Sequence, residues 1–287
     1  MSNKIPAVYQ TLYDETVKQE FQDEMRLKGT VRLRNNVVGD KIEFRHFGKG
    51  VAKPRGPLAS DVPVMGNDYN KTTATMSDWI AKDYTDIFSK PKVNFDELQE
   101  QMLSSAMATG RRLDQIIIDA LDAAVVPSAA DIAVNAESLT FAKVQTAKRI
   151  LTKQSARGDL YFVISADEEA ALLAEAKVTD GDFITNKPLP EGTLDGQKWY
   201  GFNWIVLGDR DEGGLPVAST TRTCFAYKGG LKGCIGLGIG IDMTTSADWV
   251  AHKASWLAGT NFSAAATTIG DPAAITGLIK VDTLVTA

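Results

Sequence analysis

The sequence is short of the residues that most often carry chemistry or tie a fold together. Among 287 residues there are two cysteines and two histidines. Cys224 and Cys234 are too few for a disulfide framework, and with His46 and His252 they do not make up the ligand spacing of a zinc site. That usage fits a reducing cytoplasm, and no metal or cofactor is expected. Long apolar runs are missing as well. Nothing approaches the roughly 18 residues of a membrane span, and the first thirty residues hold no apolar signal-peptide core. The expectation is a product of the cytoplasm with no membrane partner. Nor is there an excess of positive charge: 31 Lys and Arg stand against 36 Asp and Glu, a net charge of −5, which disfavours binding nucleic acid by overall charge.

Catalytic signatures are absent too. There is no G-x-S-x-G, and neither histidine sits in a triad context. Asp167, Glu168 and Glu169 are explained by the first turn of a helix, where the macrodipole favours acids. The stretch "GDRDEGG" (208–214) starts like a calcium loop, but Ser219 or Thr220 falls where the closing glutamate belongs. The most suggestive stretch is "KGGLKGCIGLGIGIDM" (228–243), with six glycines in sixteen residues. A dinucleotide loop needs G-x-G-x-x-G, and counting from Gly236 or Gly238 puts Ile241 or Met243 at the third glycine; a P-loop is absent. Ile235, Leu237, Ile239, Ile241 and Met243 instead alternate with Gly236, Gly238, Gly240 and Asp242. Period two means a strand with one apolar face and one nearly bare face, where another backbone can approach closely. The chain reads as no enzyme.

What is present is a distinctive order of parts. "AVYQTLYDETVKQEFQDEMRLKG" has the spacing of an amphipathic helix, with Val8, Leu12, Val17, Phe21 and Met25 among charges. Nine Lys or Arg fall in residues 26–55 against only Asp40 and Glu43. "KIEFRHF" alternates, Ile42, Phe44 and His46 on one side and Lys41, Glu43 and Arg45 on the other, and residues 71–88 are a β-branched and aromatic partner for it. Between them lie 23 residues with four glycines and three prolines. So long a loop points to function. Together they predict a two-stranded ribbon that reaches away from the body and lies on something else.

A long helix follows over 94–124. Asn94 and Glu97 form a capping-box start, Asp96, Glu97 and Glu100 suit its N-terminus, and Phe95, Leu98, Met102, Ala106, Leu113, Ile117 and Leu121 hold one face, with Gly110 as a candidate kink. Beyond Pro127, helix and strand alternate: "LTFAKVQTAKRILTK", "DLYFVIS", "SADEEAALLAEAK" capped by Ser165 and Glu168, and "QKWYGFNWIVLG" as a strand. Further strands close the chain. The five tryptophans read as core or interface.

This order resembles the major capsid protein of tailed bacteriophages, with its α+β, HK97-like fold. The resemblance rests on the ribbon at 41–88, the helix ending "GRRLDQIIIDALDAA", and "LTFAKVQTAKRILTK" leading to "DLYFVIS". It implies an N-terminal arm (1–40), an extended β-ribbon with its base strands (41–88), a spine helix of a peripheral domain (89–129), an axial α/β domain (130–245) and returning peripheral strands (246–287). It also implies pentamers and hexamers in an icosahedral shell around double-stranded DNA that is contacted nonspecifically. The protein would be made in the host bacterial cytoplasm and located in the virion. Because about forty residues precede the ribbon, a separate scaffolding protein is expected, with a portal. Lys49, Lys53 and Arg55 are expected to meet acidic surface near Asp96, Glu97 and Glu100 of an adjacent subunit, with Phe21 and Met25 also at subunit contacts. An encapsulin-type nanocompartment shell, a soluble α/β ligand-binding protein or enzyme using 130–245, and a tail or baseplate protein are the alternatives.

Overall fold

The computed structural model describes residues 24–58, 61–88, 96–175 and 192–285. Most of the N-terminal amphipathic pattern, including Phe21, and the Asn94 cap with Phe95 lie outside the described residues. Strand β1 (Arg32–Arg34) is followed by β2 (Lys41–Phe47), β3 (Tyr69–Thr75) and β4 (Ser77–Asp86), then by helix α1 (Glu97–Asp122) and the short β5 (Asp131–Ile132). Helix α2 (Phe141–Lys153), β6 (Leu160–Ser165) and helix α3 (Ala166–Leu173) come next. The remaining strands are β7 (Lys198–Trp199), β8 (Phe202–Leu207), β9 (Val217–Ala218), β10 (Thr221–Lys228), β11 (Ile235–Ile239), β12 (Thr244–Val250), β13 (Ser255–Thr268) and β14 (Leu278–Leu284).

They form three sheets. A five-stranded sheet runs β1-β11-β13-β12 with β4 also on β13; a seven-stranded sheet runs β5-β14-β10-β6-β8-β7 with β9 on β10; β2 and β3 pair alone. The first two cut across the expected domain boundaries. Strand β11, grouped by sequence with the α/β region, pairs with β13, whereas β14, grouped with the returning strands, pairs with β10 and β5.

The 26-residue α1 is about 39 Å long at 1.5 Å per residue. Its second half buries Leu113, Ile117, Ile118 and Leu121 at helical spacing. The first half differs from the sequence expectation. Ala106 is exposed and Met102 only half-buried, while Ser105 and Thr109 face inward. Ser105 shares a 3.1 Å hydrogen bond with Thr260 on β13, and the Thr109 hydroxyl donates back to the Ser105 carbonyl at 3.0 Å. Small hydroxyl residues let the helix lie close to the sheet while their polar groups stay satisfied. The helix runs unbroken through Gly110. That glycine serves an approach, not a kink: a Cβ there would stand 3.3 Å from Cβ of Met25.

The five-stranded sheet is covered on both faces. Ile235, Leu237 and Ile239 of β11 join the core that contains the α1 side chains. On the other face Phe44 and Ile42 of β2 sit over Gly236 and Gly238, with Ala74, Ala265 and Ile269 completing a second small core. At Gly236 and Gly238 the bare face is therefore filled by two side chains, while a Cβ at Gly240 would meet Met76 at 3.2 Å and the Val37 carbonyl at 3.5 Å. The ribbon's base accordingly rests on its own subunit. Only its first return strand, β3, pairs with β2, register Ile42↔Ala74 and Phe44↔Thr72. Strand β4, expected to continue the ribbon, leaves it at Met76 and pairs with β13 instead.

The seven-stranded sheet is built on aromatics: Phe162 stacks on Trp204 at 4.7 Å and meets Phe202 edge-on. "QKWYGFNWIVLG" is a tight hairpin, β7 and β8, turned by Tyr200 and Gly201, both at positive φ. Helix α3 has the expected capping box between Ser165 and Glu168.

Candidate intersubunit surface

The chemistry of the interior is structural. Arg222, 3% exposed on β10, donates to Asp167 and Asp209 and lies 3.3 Å from the buried Glu168 carboxylate, which also accepts from Thr283. Burial alone would lower its pKa, but Glu168, Asp167 and Asp209 together hold it above the ordinary guanidinium value. Lys143 donates to three carbonyls, those of Val134, Glu137 and Asp282, each at 2.9 Å, and burial lowers its pKa. Cys224 and Cys234 are buried free thiols, and burial pushes Cys234 up to about 12. Neither thiol is poised to act as a nucleophile. Among the described residues no group of three or more His, Cys, Asp or Glu could hold a metal, and no helix is long and apolar enough to cross a membrane.

The outer surface is more telling. From Phe47 to Tyr69 the ribbon is held by its own contacts. The two aromatics meet edge-on at 4.8 Å, Gly48 N–H donates to the Asp68 carbonyl at 2.8 Å, and Lys53 Nζ donates to the Val64 carbonyl at 2.7 Å. Gly50 is packed under the end of the Met65 side chain. Yet the tip exposes Val51, Leu58, Val62 and Val64, Leu58 to 96%. Four exposed apolar side chains on one ribbon make it a candidate surface for contact with another molecule.

Lys49, Lys53 and Arg55 are all exposed on this ribbon. Lys53 is partly engaged in closing the ribbon. Asp96, Glu97 and Glu100 belong to a different element, the start of α1, where Gln101 accepts from Thr85 of β4 at 2.6 Å. Met25, expected at a subunit contact, packs against Gly110 of its own chain. Beside it the Asp114 carboxylate accepts the backbone N–H groups of Arg26 and Leu27, at 2.9 and 3.0 Å.

Trp249 and Trp256, read from the sequence as core or interface, meet edge-on at 5.5 Å at the end of the β12–β13 hairpin and are 44% and 38% exposed. Sequence reasoning missed a groove of about 1020 Å³ between β1 and β2, with Arg32, Arg34, Lys41 and Arg45 in its lining. The outward half of the "KIEFRHF" alternation carried part of that signal.

A family model described as "Phage capsid protein" matches residues 5–281. Among curated proteins nothing matches the chain. Several solved structures share the fold across nearly the whole chain. The chain is similar to the capsid of Ralstonia phage GP4 (TM-score 0.72, 9% identity, 100% of this chain and 98% of that one). It is similar to the head of Helicobacter pylori bacteriophage KHP40 (TM-score 0.70, 10% identity, 95% and 94%). The capsid of cyanophage P-SCSP1u is a third (TM-score 0.69, 11% identity, 97% and 94%).

Proposed function

The chain belongs to the phage capsid protein family, and from that premise we propose how its subunits are joined and what they enclose. It is a structural major capsid protein with an HK97-like, mixed α+β fold; its copies associate into the phage shell, and its place is the virion. In our reading the ribbon tip is the principal joint. The observation that carries this is the exposure of Val51, Leu58, Val62 and Val64 on a segment whose base is already packed on its own subunit. A neighbour that covers these side chains removes apolar surface from water at about 25 cal/mol per Å². Lys49, Lys53 and Arg55 then orient the contact on acidic surface of that neighbour, with Asp96, Glu97 and Glu100 as the candidate acids. Rings of five and six subunits close by rotation of such head-to-tail contacts. We further propose that a separate scaffolding protein and a portal direct assembly in the host cytoplasm, and that the enclosed double-stranded DNA is contacted without sequence preference.

Electron microscopy of the purified chain, alone and with a co-expressed scaffolding protein, tests this reading. Closed shells or rings are expected with scaffold. A chain that stays monomeric at high concentration with scaffold present overturns it, and shells formed without scaffold favour a self-sufficient compartment. Reversing Lys49, Lys53 and Arg55 to Glu is expected to leave a folded monomer that no longer assembles. Normal shells from that triple variant would sink the charge-guided contact.

A further inference from the structure

The groove between β1 and β2 has an unusual combination of features. Strand β1 ends the five-stranded sheet and β2 pairs only with β3 among the described residues, so each strand turns one edge without a strand partner. Open edges of this kind take an added strand through main-chain hydrogen bonds. Arg32, Arg34, Lys41 and Arg45 line the groove, and all four are exposed. The one acid in the lining, Glu43, is held by Lys71 at 2.8 Å; that hydrogen bond and the Lys71 charge lower its pKa. Apolar side chains share the same lining: Leu33, Val38 and Phe47 are exposed, Val38 to 96%. A fitting occupant is a peptide segment with several acids and a few apolar side chains. Nucleic acid would satisfy the cations but leave the strand edges and the apolar groups uncovered.

The chain itself contains such a segment. "DETVKQEFQD" (14–23) has four acids against one lysine, with Val17 and Phe21 between them. We propose that this segment of a neighbouring copy occupies the β1–β2 groove, an inference that rests on the shell reading above and names one of its joints. The neighbour is favoured over the same chain by where the described chain begins. Met25 lies against Gly110, and the Arg26 and Leu27 amides are fixed on Asp114, all on the α1 side of the five-stranded sheet. The groove lies on the ribbon side of that sheet, where Ile42 and Phe44 of β2 pack. A chain's own segment must round the β1 edge to reach it; a neighbour's need not.

The test uses assembled full-length protein. Phe21→Cys and Val38→Cys are placed in separate chains, co-assembled and oxidised, and the buried native thiols stay silent. A mixed disulfide dimer is expected in the particle fraction. It should fall at least tenfold when Arg32, Arg34 and Arg45 are changed to Glu, and return when Asp14, Glu15 and Glu20 are changed to Lys in the same chain. Where charge reversal prevents particles, a labelled peptide of residues 10–24 added to the purified wild-type chain gives a second readout, with binding that weakens as salt is raised. Particles with no mixed dimer, a crosslink found only within a doubly substituted chain, or a peptide that does not bind would overturn the proposal. So would a charge reversal that lowers the DNA content of particles with the crosslink intact. Shells are scored separately by microscopy, so intact shells without the crosslink remove this joint and leave the capsid reading standing.

Discussion

At Gly236 a single added methyl group has nowhere to go. Its carbon would lie 2.6 Å from Cζ and 2.7 Å from both Cε atoms of the Phe44 ring, and a Cβ at Gly238 would lie 2.6 Å from Ile42 Cδ1. The ribbon's base is thus seated by two bulky side chains on two missing ones. Gly236→Ala should destabilise the subunit by about 1–3 kcal/mol, the usual cost of overpacking a filled site. Phe44→Leu lacks the ring atoms that clash, so in the double variant the two costs should not add, with a coupling of at least ~0.5 kcal/mol. Urea unfolding of the four proteins in the cycle measures it. Strict additivity would mean that the ring does not set the fit.

At the scale of elements, helix α3 is tied to the seven-stranded sheet through one cation. Arg222 on β10 reaches Asp167 and Glu168 in the first turn of α3, and Asp209 after β8. Its partners are unequal. Glu168 is 1% exposed in its side chain and Asp209 68% exposed. Removing the cation strands a buried carboxylate, so Arg222→Ala should cost about 3–5 kcal/mol. Asp209→Asn removes an exposed partner and should cost under ~1 kcal/mol. Chemical denaturation with far-UV dichroism reads both; equal losses would contradict this division of roles. The capping box that starts α3 was legible in the sequence because Ser165 and Glu168 act over three residues. Arg222 was not, since its partners lie 13 to 55 residues away and only the pairing of β10 with β6 brings them together.

For the whole molecule, the division between self-contained and shared surface decides behaviour. The base of the ribbon belongs to the subunit's own second core, whereas the tip leaves Val51, Leu58, Val62 and Val64 in water. Replacing 51–64 with a short glycine turn should therefore leave the melting temperature within a few degrees of the parent. It should abolish closed shells. Calorimetry and electron microscopy of the same preparation check both halves. A large drop in melting temperature would make the tip part of the fold, and normal shells would deprive it of its role as a joint.

The sequence by itself determined the elements whose information is local: the period of two in "KIEFRHF" and in the glycine strand, the helical run ending α1, and the Ser165 cap. The order of parts pointed to the capsid family. Tertiary structure alone decided which surfaces meet. It gave β4 to the distant β13, and turned Ser105 and Thr109 of α1 inward in place of Ala106. It filled the glycine face with Phe44 and Ile42, and set Arg32, Arg34, Lys41 and Arg45 around one groove. The physical reason is that periodicity follows from backbone geometry within a few residues. Pairing follows instead from burial summed over distant segments, and an apolar or charged face in the sequence does not say whether its cover comes from the same chain or from a neighbour.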